Sequence, residues 1–226
     1  MICAIIPAAG RSRRMGVQKL LLPVGGKPMI ACVVDAVLAG PVDHVVVVIG
    51  SDGGRIAGAL AGRRVHFVTN PEAEGEMLGS VRCGLRAVPQ DAAAALVAPG
   101  DQPGVTSEVV AAVVEAFRSS GRGIVVPTHA GRRGHPLLIA LRYRDEILAH
   151  YDGTGLRGLL QAHPEDVLEV EVAAPGAVED VDTPTEYAQA AARPIRASAA
   201  SERPGPSQRH SSPRPPDAHR WASRRP

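Results

Sequence analysis

The first stretch with chemistry in it reads Pro7-Ala8-Ala9-Gly10-Arg11-Ser12-Arg13-Arg14-Met15-Gly16, followed closely by Lys19. Small residues at Ala8, Ala9 and Gly10 let backbone N–H groups come close to a ligand and converge on an anion. Arg11, Arg13, Arg14 and Lys19 add positive charge, the arginines as forks for phosphate oxygens and the lysine as a point charge. Lys19 and Lys27 are the only lysines in the chain, so Lys19 stands where an ordinary surface position would carry Arg. The spacing fits neither G-x-x-x-x-G-K-[ST] nor G-x-G-x-x-G, which excludes the common P-loop and dinucleotide signatures. A chain of linked phosphates is the ligand this loop suits. Solvated arginines on a surface turn are the alternative for any one residue.

Two acidic segments could supply a metal. Asp101 lies in Pro99-Gly100-Asp101-Gln102-Pro103, directly after the apolar run Ala94–Ala98, and Asp182 lies in Glu179-Asp180-Val181-Asp182-Thr183-Pro184. Mg²⁺ characteristically takes one or two protein carboxylates plus phosphate oxygens and water. Asp101 equally suits an Asp-x-Pro turn, and Asp182 a helix-start turn. A third block, Gly131-Arg132-Arg133-Gly134-His135-Pro136, offers close approach, two guanidiniums and an imidazole to an anionic acceptor. The alternative there is a β-hairpin with a buried histidine.

These segments resemble the MobA-like nucleotidyltransferases, in the branch of the molybdenum-cofactor cytidylyltransferases. The resemblance rests on Ala-Ala-Gly-x-Ser-x-Arg-Met-Gly-x-x-Lys, on Leu-Leu-Pro-x-Gly-Gly-Lys-Pro-Met, on Gly-Asp-Gln-Pro and on Arg-Arg-Gly-His-Pro, and spans residues 2–192. It implies transfer of CMP from CTP to molybdopterin with release of pyrophosphate. Arg14, Lys19 and Asp101 would be catalytic. Ala8, Ala9, Gly10, Arg11, Ser12, Asn70 and Ser80 would bind nucleotide, although Glu76 and Gly79 depart from the pattern around Ser80. Arg133, Gly134 and His135 would bind the acceptor, and Asp101 with Asp182 would hold Mg²⁺. A molybdenum hydroxylase would receive the product. The alternatives are a related transferase using GTP or another phosphorylated acceptor (sugar, isoprenoid or phospholactate), and a non-catalytic nucleotide- or cofactor-binding chaperone.

Such residues need a scaffold that brings distant segments to one edge. Apolar runs at Ile2–Ile6, His44–Ile49, Val65–Val68, Ala94–Ala98 and Ile124–Val126 predict strands buried on both faces. Helical patterns at Met29–Leu38, Ile56–Leu60, Leu78–Ala87 and Glu108–Phe117 alternate with them. The order predicts an α/β fold: a three-layer, doubly wound, mostly parallel sheet of Rossmann-like type. Further on, Leu137–Ile139 and Val167–Val172 read as strands, with Tyr143–His150 and Leu156–Gln161 as helices. Thr183, Pro184 and Glu186 spell a capped helix start running to about Ala192.

From Arg193 the composition changes to Pro, Ser and Arg, predicting a disordered tail over 193–226 after a nucleotidyltransferase domain over 1–192. Eight tail arginines against Glu202 and Asp217 leave the first 192 residues at −4 within a chain of net charge +2. A mildly acidic folded part argues against a nucleic-acid partner. Three cysteines without a CxxC pair argue against a zinc site or disulfide framework. No apolar run approaches the roughly 18 residues of a membrane span, and the amino-terminal residues lack a basic n-region, so a cytoplasmic location is expected.

Overall fold

The continuous Val, Ile and Ala runs lie side by side in one sheet, where backbone pairing satisfies their polar groups and both faces meet helices. The structure, a computed structural model, describes residues 1–10, 15–50, 53–72 and 76–192. Its elements in order are β1 (Ile2–Ala8), β2 (Pro23–Val24), β3 (Lys27–Pro28), α1 (Met29–Ala39), β4 (His44–Ile49), α2 (Gly53–Ala59), β5 (His66–Thr69) and α3 (Met77–Ala87). There follow β6 (Ala94–Val97), α4 (Ser107–Ser120), β7 (Ile124–His129), β8 (Arg132–Arg133), β9 (Leu137–Ala140), α5 (Arg144–Ala149), α6 (Leu156–Ala162), β10 (Val167–Glu171) and α7 (Pro184–Ala192).

The main sheet runs β10-β7-β9-β6-β1-β4-β5, with the short β8 added beside β7. β1 is parallel to both β4 and β6, β4 to β5, and β10 to β7. Only β9 and the short β8 run against their neighbours among these strands. The seven residues between β7 and β9 are too few for a parallel crossover, which takes a dozen or more, so β9 returns antiparallel. The chain is mostly parallel with helices on both faces, as the pattern predicts.

Alternation along β1 divides the core in two. Ala4 and Ile6 face one layer with Ile30, Val33, Val37, Val110 and Val114 from α1 and α4. Cys3 and Ile5 face the other, with Val81, Leu85, Ile147 and Leu159 from α3, α5 and α6. Cys3, Cys32 and Cys83 are free thiols. Burial pushes the first two up, in keeping with small core hydrophobes.

Some boundaries differ from the sequence pattern. β1 continues through Pro7 to Ala8, and β7 runs on to His129 because the hairpin with β8 gives those residues a pairing partner. The turn of that hairpin places Ala130 at φ 50° and Gly131 at φ 75°, the left-handed geometry that two-residue hairpins require. The Tyr143–His150 pattern resolves into a 3-10 turn at Leu141–Tyr143 and the short α5. No helix among the described residues is long and apolar enough to cross a membrane.

Candidate active site

The strand order places a crevice between β1 and β6. After β1 the chain winds outward through β4 and β5, then crosses back to add β6 on the other side. Ligands of open α/β sheets bind at the carboxyl ends of the strands where the winding reverses in this way. The loop after β1 and the Gly100-Asp101 turn after β6 meet at that point. The Gly100 N–H donates to the Pro7 carbonyl at 3.3 Å, and a Cβ on Gly100 would lie 2.6 Å from Ile30 and 3.2 Å from that same carbonyl. Glycine lets the turn after β6 lie against the end of β1.

Lys19 sits on a 3-10 turn, Lys19–Leu21, anchored by the buried Leu20. Its ammonium donates to Asp101 Oδ2 at 2.7 Å and to Asp182 Oδ1 at 2.6 Å. The Lys19 side chain is 12% exposed, Asp101 25% and Asp182 38%, so the bridge is largely sheltered on the lysine side and open to water at the carboxylates. Burial alone would lower the Lys19 pKa. The charge of Asp101 and the hydrogen bonds the ammonium donates to both carboxylates outweigh it and hold the ammonium above its ordinary value. The third segment is itself tied in: the Val181 N–H donates to the Asp101 carbonyl at 3.1 Å. Glu186 Oε2 accepts from the backbone N–H groups of Asp182 and Thr183, both at 2.8 Å, while Thr183 Oγ1 accepts from the Glu186 N–H at 3.3 Å. The capping box that starts α7 therefore also fixes the residue carrying Asp182.

Ala8 ends β1, and Ala9 and Gly10 follow it at the same edge; a Cβ on Gly10 would meet nothing within 4 Å. Arg11, Ser12 and Arg14 lie outside the described residues, as does the 193–226 tail. Asn70 follows β5 at the same carboxyl edge. It is buried and donates through Nδ2 to Ser80 Oγ of α3 at 3.1 Å, while its Oδ1 accepts from the Glu72 N–H at 3.0 Å. These two expected nucleotide-side residues thus meet each other.

The Arg-Arg-Gly-His block divides. His135 is brought close: its Nδ1 lies 3.2 Å from Gln102 Nε2, next in the chain to Asp101. Burial holds its imidazole below the usual range, against the opposing charges of Asp101 and Asp180. Arg133 goes elsewhere. Neighbouring residues of β8 point to opposite faces, and Arg133 forms an exposed 2.7 Å ion pair with Glu169 of β10. Gly134 has a packing reason: a Cβ there would overlap the Ala177 carbonyl oxygen. Reading the sequence missed Gln102 as a partner of His135; its only signal is adjacency to Asp101.

The donor set suits a hard cation, since Asp101 and Asp182 offer oxygens gathered on one ammonium. Groups of three or more His, Cys, Asp or Glu placed to hold a metal do not occur among the described residues. A cation here would rely on substrate oxygens to complete its shell.

The class these features define is a doubly wound, mostly parallel α/β protein with a lysine–carboxylate bridge at its switch point. Residues 4–167 match the MobA-like NTP transferase domain, and the chain belongs to that family. It is 34% identical over 137 residues to the bifunctional protein GlmU of Cupriavidus pinatubonensis, covering 57% of this chain and 29% of that one. It is 38% identical over 130 residues to the 2-C-methyl-D-erythritol 4-phosphate cytidylyltransferase of Streptomyces coelicolor, covering 54% and 48%. The chain thus spans less than half the length of these curated relatives. A nucleotidyl transferase structure from Methanothermobacter superposes with a TM-score of 0.74 at 29% identity, over 84% of this chain and 96% of that one. The resemblance holds for the family. These relatives are not named as molybdenum-cofactor cytidylyltransferases, and the narrower branch does not follow from them.

Proposed function

We propose that the chain is a nucleotidyltransferase that moves a nucleoside monophosphate, CMP foremost, from a nucleoside triphosphate to a small phosphorylated acceptor of the polyol, isoprenoid or sugar phosphate kind. The observation that carries the reading is the bridge from Lys19 to Asp101 and Asp182 at the β1–β6 crevice. Family membership and the cytidylyltransferase relative support the reaction class and the base.

The step is an in-line displacement. An acceptor phosphate oxygen bonds to the α-phosphorus as the bond to the bridging oxygen breaks, and pyrophosphate leaves. A phosphate monoester with a second pKa of about 6 is a dianion near neutrality and needs no general base. The protein's part is then positioning and charge neutralisation. Ala8, Ala9 and Gly10 admit the phosphates to the end of β1. Lys19, with its raised pKa, stays charged and faces the negative charge that builds on the leaving group. Arg11, Ser12 and Arg14 belong to the same loop in this reading. Asp101 and Asp182 would hold Mg²⁺, which when bound supplies Lewis-acid neutralisation of phosphate oxygens. His135 would hold the acceptor.

Molybdopterin is the second reading of the acceptor, favoured by Arg-Arg-Gly-His-Pro together with the position of His135 beside Gln102; GTP is the second reading of the donor. The test is pyrophosphate release with CTP, GTP and ATP against 2-C-methyl-D-erythritol 4-phosphate, a sugar 1-phosphate and molybdopterin, with Mg²⁺. Release with CTP and one of the first two acceptors is expected. Turnover with molybdopterin alone would move the assignment to the second reading. Triphosphate binding without pyrophosphate from any pair would sink the transferase reading in favour of a nucleotide-binding chaperone.

A further inference from the structure

We infer that Gln102 is a positioning residue: it fixes the tautomer of His135 so that the ring presents an Nε2–H donor to the acceptor. The acceptor clause rests on the transferase reading above; the tautomer clause does not. Gln102 is 6% exposed, and its amide nitrogen lies 3.2 Å from His135 Nδ1. A side-chain amide nitrogen can only donate, so Nδ1 must be the bare, accepting nitrogen of a neutral ring. The proton is then on Nε2. That nitrogen has no protein partner among the described residues and is not one of the buried polar atoms left without one. It is the ring position left for a ligand.

The opposite orientation of the amide is the one to weigh, because oxygen and nitrogen are set by the hydrogen-bond network. With the amide reversed, Oε1 would accept from an Nδ1–H, and the buried NH₂ would lose its partner. In the orientation found, the atom without a partner is Oε1. An orphaned carbonyl oxygen is more common in protein interiors than an orphaned donor, and an NH₂ would leave two hydrogens unmatched. Both ends of the pair are pinned by backbone. The His135 N–H donates to the Ala177 carbonyl at 2.8 Å, the Gly134 N–H to the Pro127 carbonyl at 2.8 Å, and the Val105 N–H to the Gln102 carbonyl at 3.1 Å. These bonds fix the backbone on both sides of the pair and tie the hairpin to the Pro175–Val178 turn.

A neutral donor suits the site. An acceptor phosphate must remain nucleophilic, and an imidazolium would draw charge from the attacking oxygen; an Nε2–H orients it with less withdrawal. Burial already opposes the charged ring.

The test is long-range ¹H–¹⁵N correlation spectroscopy of the whole protein at about one unit above the ordinary imidazole pKa of about 6.5. The His135 ring is assigned by its loss in His135→Asn. The expected spectrum shows a protonated Nε2 and a bare Nδ1, and Gln102→Glu, whose carboxylate accepts, moves the proton to Nδ1. A wild-type ring protonated on Nδ1 overturns the inference whatever the variants do. In the pyrophosphate assay, with an acceptor that turns over, Gln102→Met should raise the acceptor KM about tenfold, the size of one lost hydrogen bond to a charged group, and leave the nucleotide KM unchanged. Equal changes in both KM values would overturn the acceptor clause, and silence of every acceptor would count against the transferase reading while the spectrum still decides the tautomer.

Discussion

Lys19 is drawn to two acids that lie 82 and 163 positions further along the chain, so its chemistry depends on the whole fold while its loss touches only one ammonium. Lys19→Met should lower kcat about 10²- to 10³-fold, the usual effect of removing one preorganised charge-stabilising donor. The thermal midpoint should move little, because Asp101 and Asp182 are 25% and 38% exposed and water can screen them once the bridge is gone. Pyrophosphate release and a circular-dichroism melt check the two halves; turnover near that of the native chain removes the role. The pH behaviour follows from the sign of the shift. A base whose folded pKa is raised contributes its stability in full below the ordinary lysine value and loses it only as pH rises through the higher folded value. Lys19 therefore keeps its charge throughout the neutral range. Native protein and Lys19→Arg should give pH–rate profiles of the same shape between about pH 6 and 9, and a limb that moves with this substitution would contradict that.

At the scale of elements, two contacts hold the cleft together and each has a substitution that isolates it. Thr183→Ala removes the acceptor for the Glu186 N–H at the start of α7 and should cost about 1 kcal/mol in a denaturant titration. It should also weaken turnover, because the same box fixes Asp182. Gly134→Ala would drive a methyl group into the Ala177 carbonyl and part the hairpin from the Pro175–Val178 turn, at about 1–3 kcal/mol. A Gly134→Ala variant as stable as the native chain would show that this packing is not what requires glycine. The contrast shows what a sequence can disclose. The α7 cap was legible because all its partners lie within four residues, and the buried strands because their apolar runs are local. The meeting of Lys19 with Asp101 was legible only through the rule that ligands gather at strand ends. The reversed β9 and the diversion of Arg133 to Glu169 were not legible, since both depend on which strands become neighbours. Gly134 could be read as room for a ligand because a short spacing does not distinguish a ligand from a backbone carbonyl. Gln102 stayed hidden because its partner is 33 residues away.

Across the whole molecule, the two edges of the sheet divide chemistry from stability. The carboxyl ends of β1 and β6 carry the cleft, while the amino-terminal ends of β7 and β10 are joined by Asp166. That carboxylate accepts from the Gly123 N–H at 2.9 Å, from Arg142 at 2.5 Å and from the Tyr143 hydroxyl at 2.5 Å. Burial by itself would raise its pKa, but the hydrogen bonds of Tyr143, Gly123 and Arg142 win and bring it down to about 2. For an acid depressed in the folded state, the unfolded chain binds the proton first. The stability it contributes is therefore complete above the ordinary Asp value near 3.9 and is lost as pH falls from there through about 2. With part of the side chain exposed, the contribution should be on the order of 1 kcal/mol, below the full linkage value. Asp166→Asn keeps an oxygen for the Gly123 N–H but loses the charge that Arg142 and Tyr143 share. It should lower stability at pH 7 by that amount and flatten the fall of the stability curve between about pH 4 and 2. Because this cluster lies on the edge away from Lys19 and Asp101, kcat at about pH 7.5 should stay close to the native value. Denaturant titrations at a series of pH values and one rate measurement suffice. A variant that loses turnover in step with stability would mean that the two edges are coupled through the sheet, and one whose curve still falls as steeply would place the acid-sensitive group elsewhere.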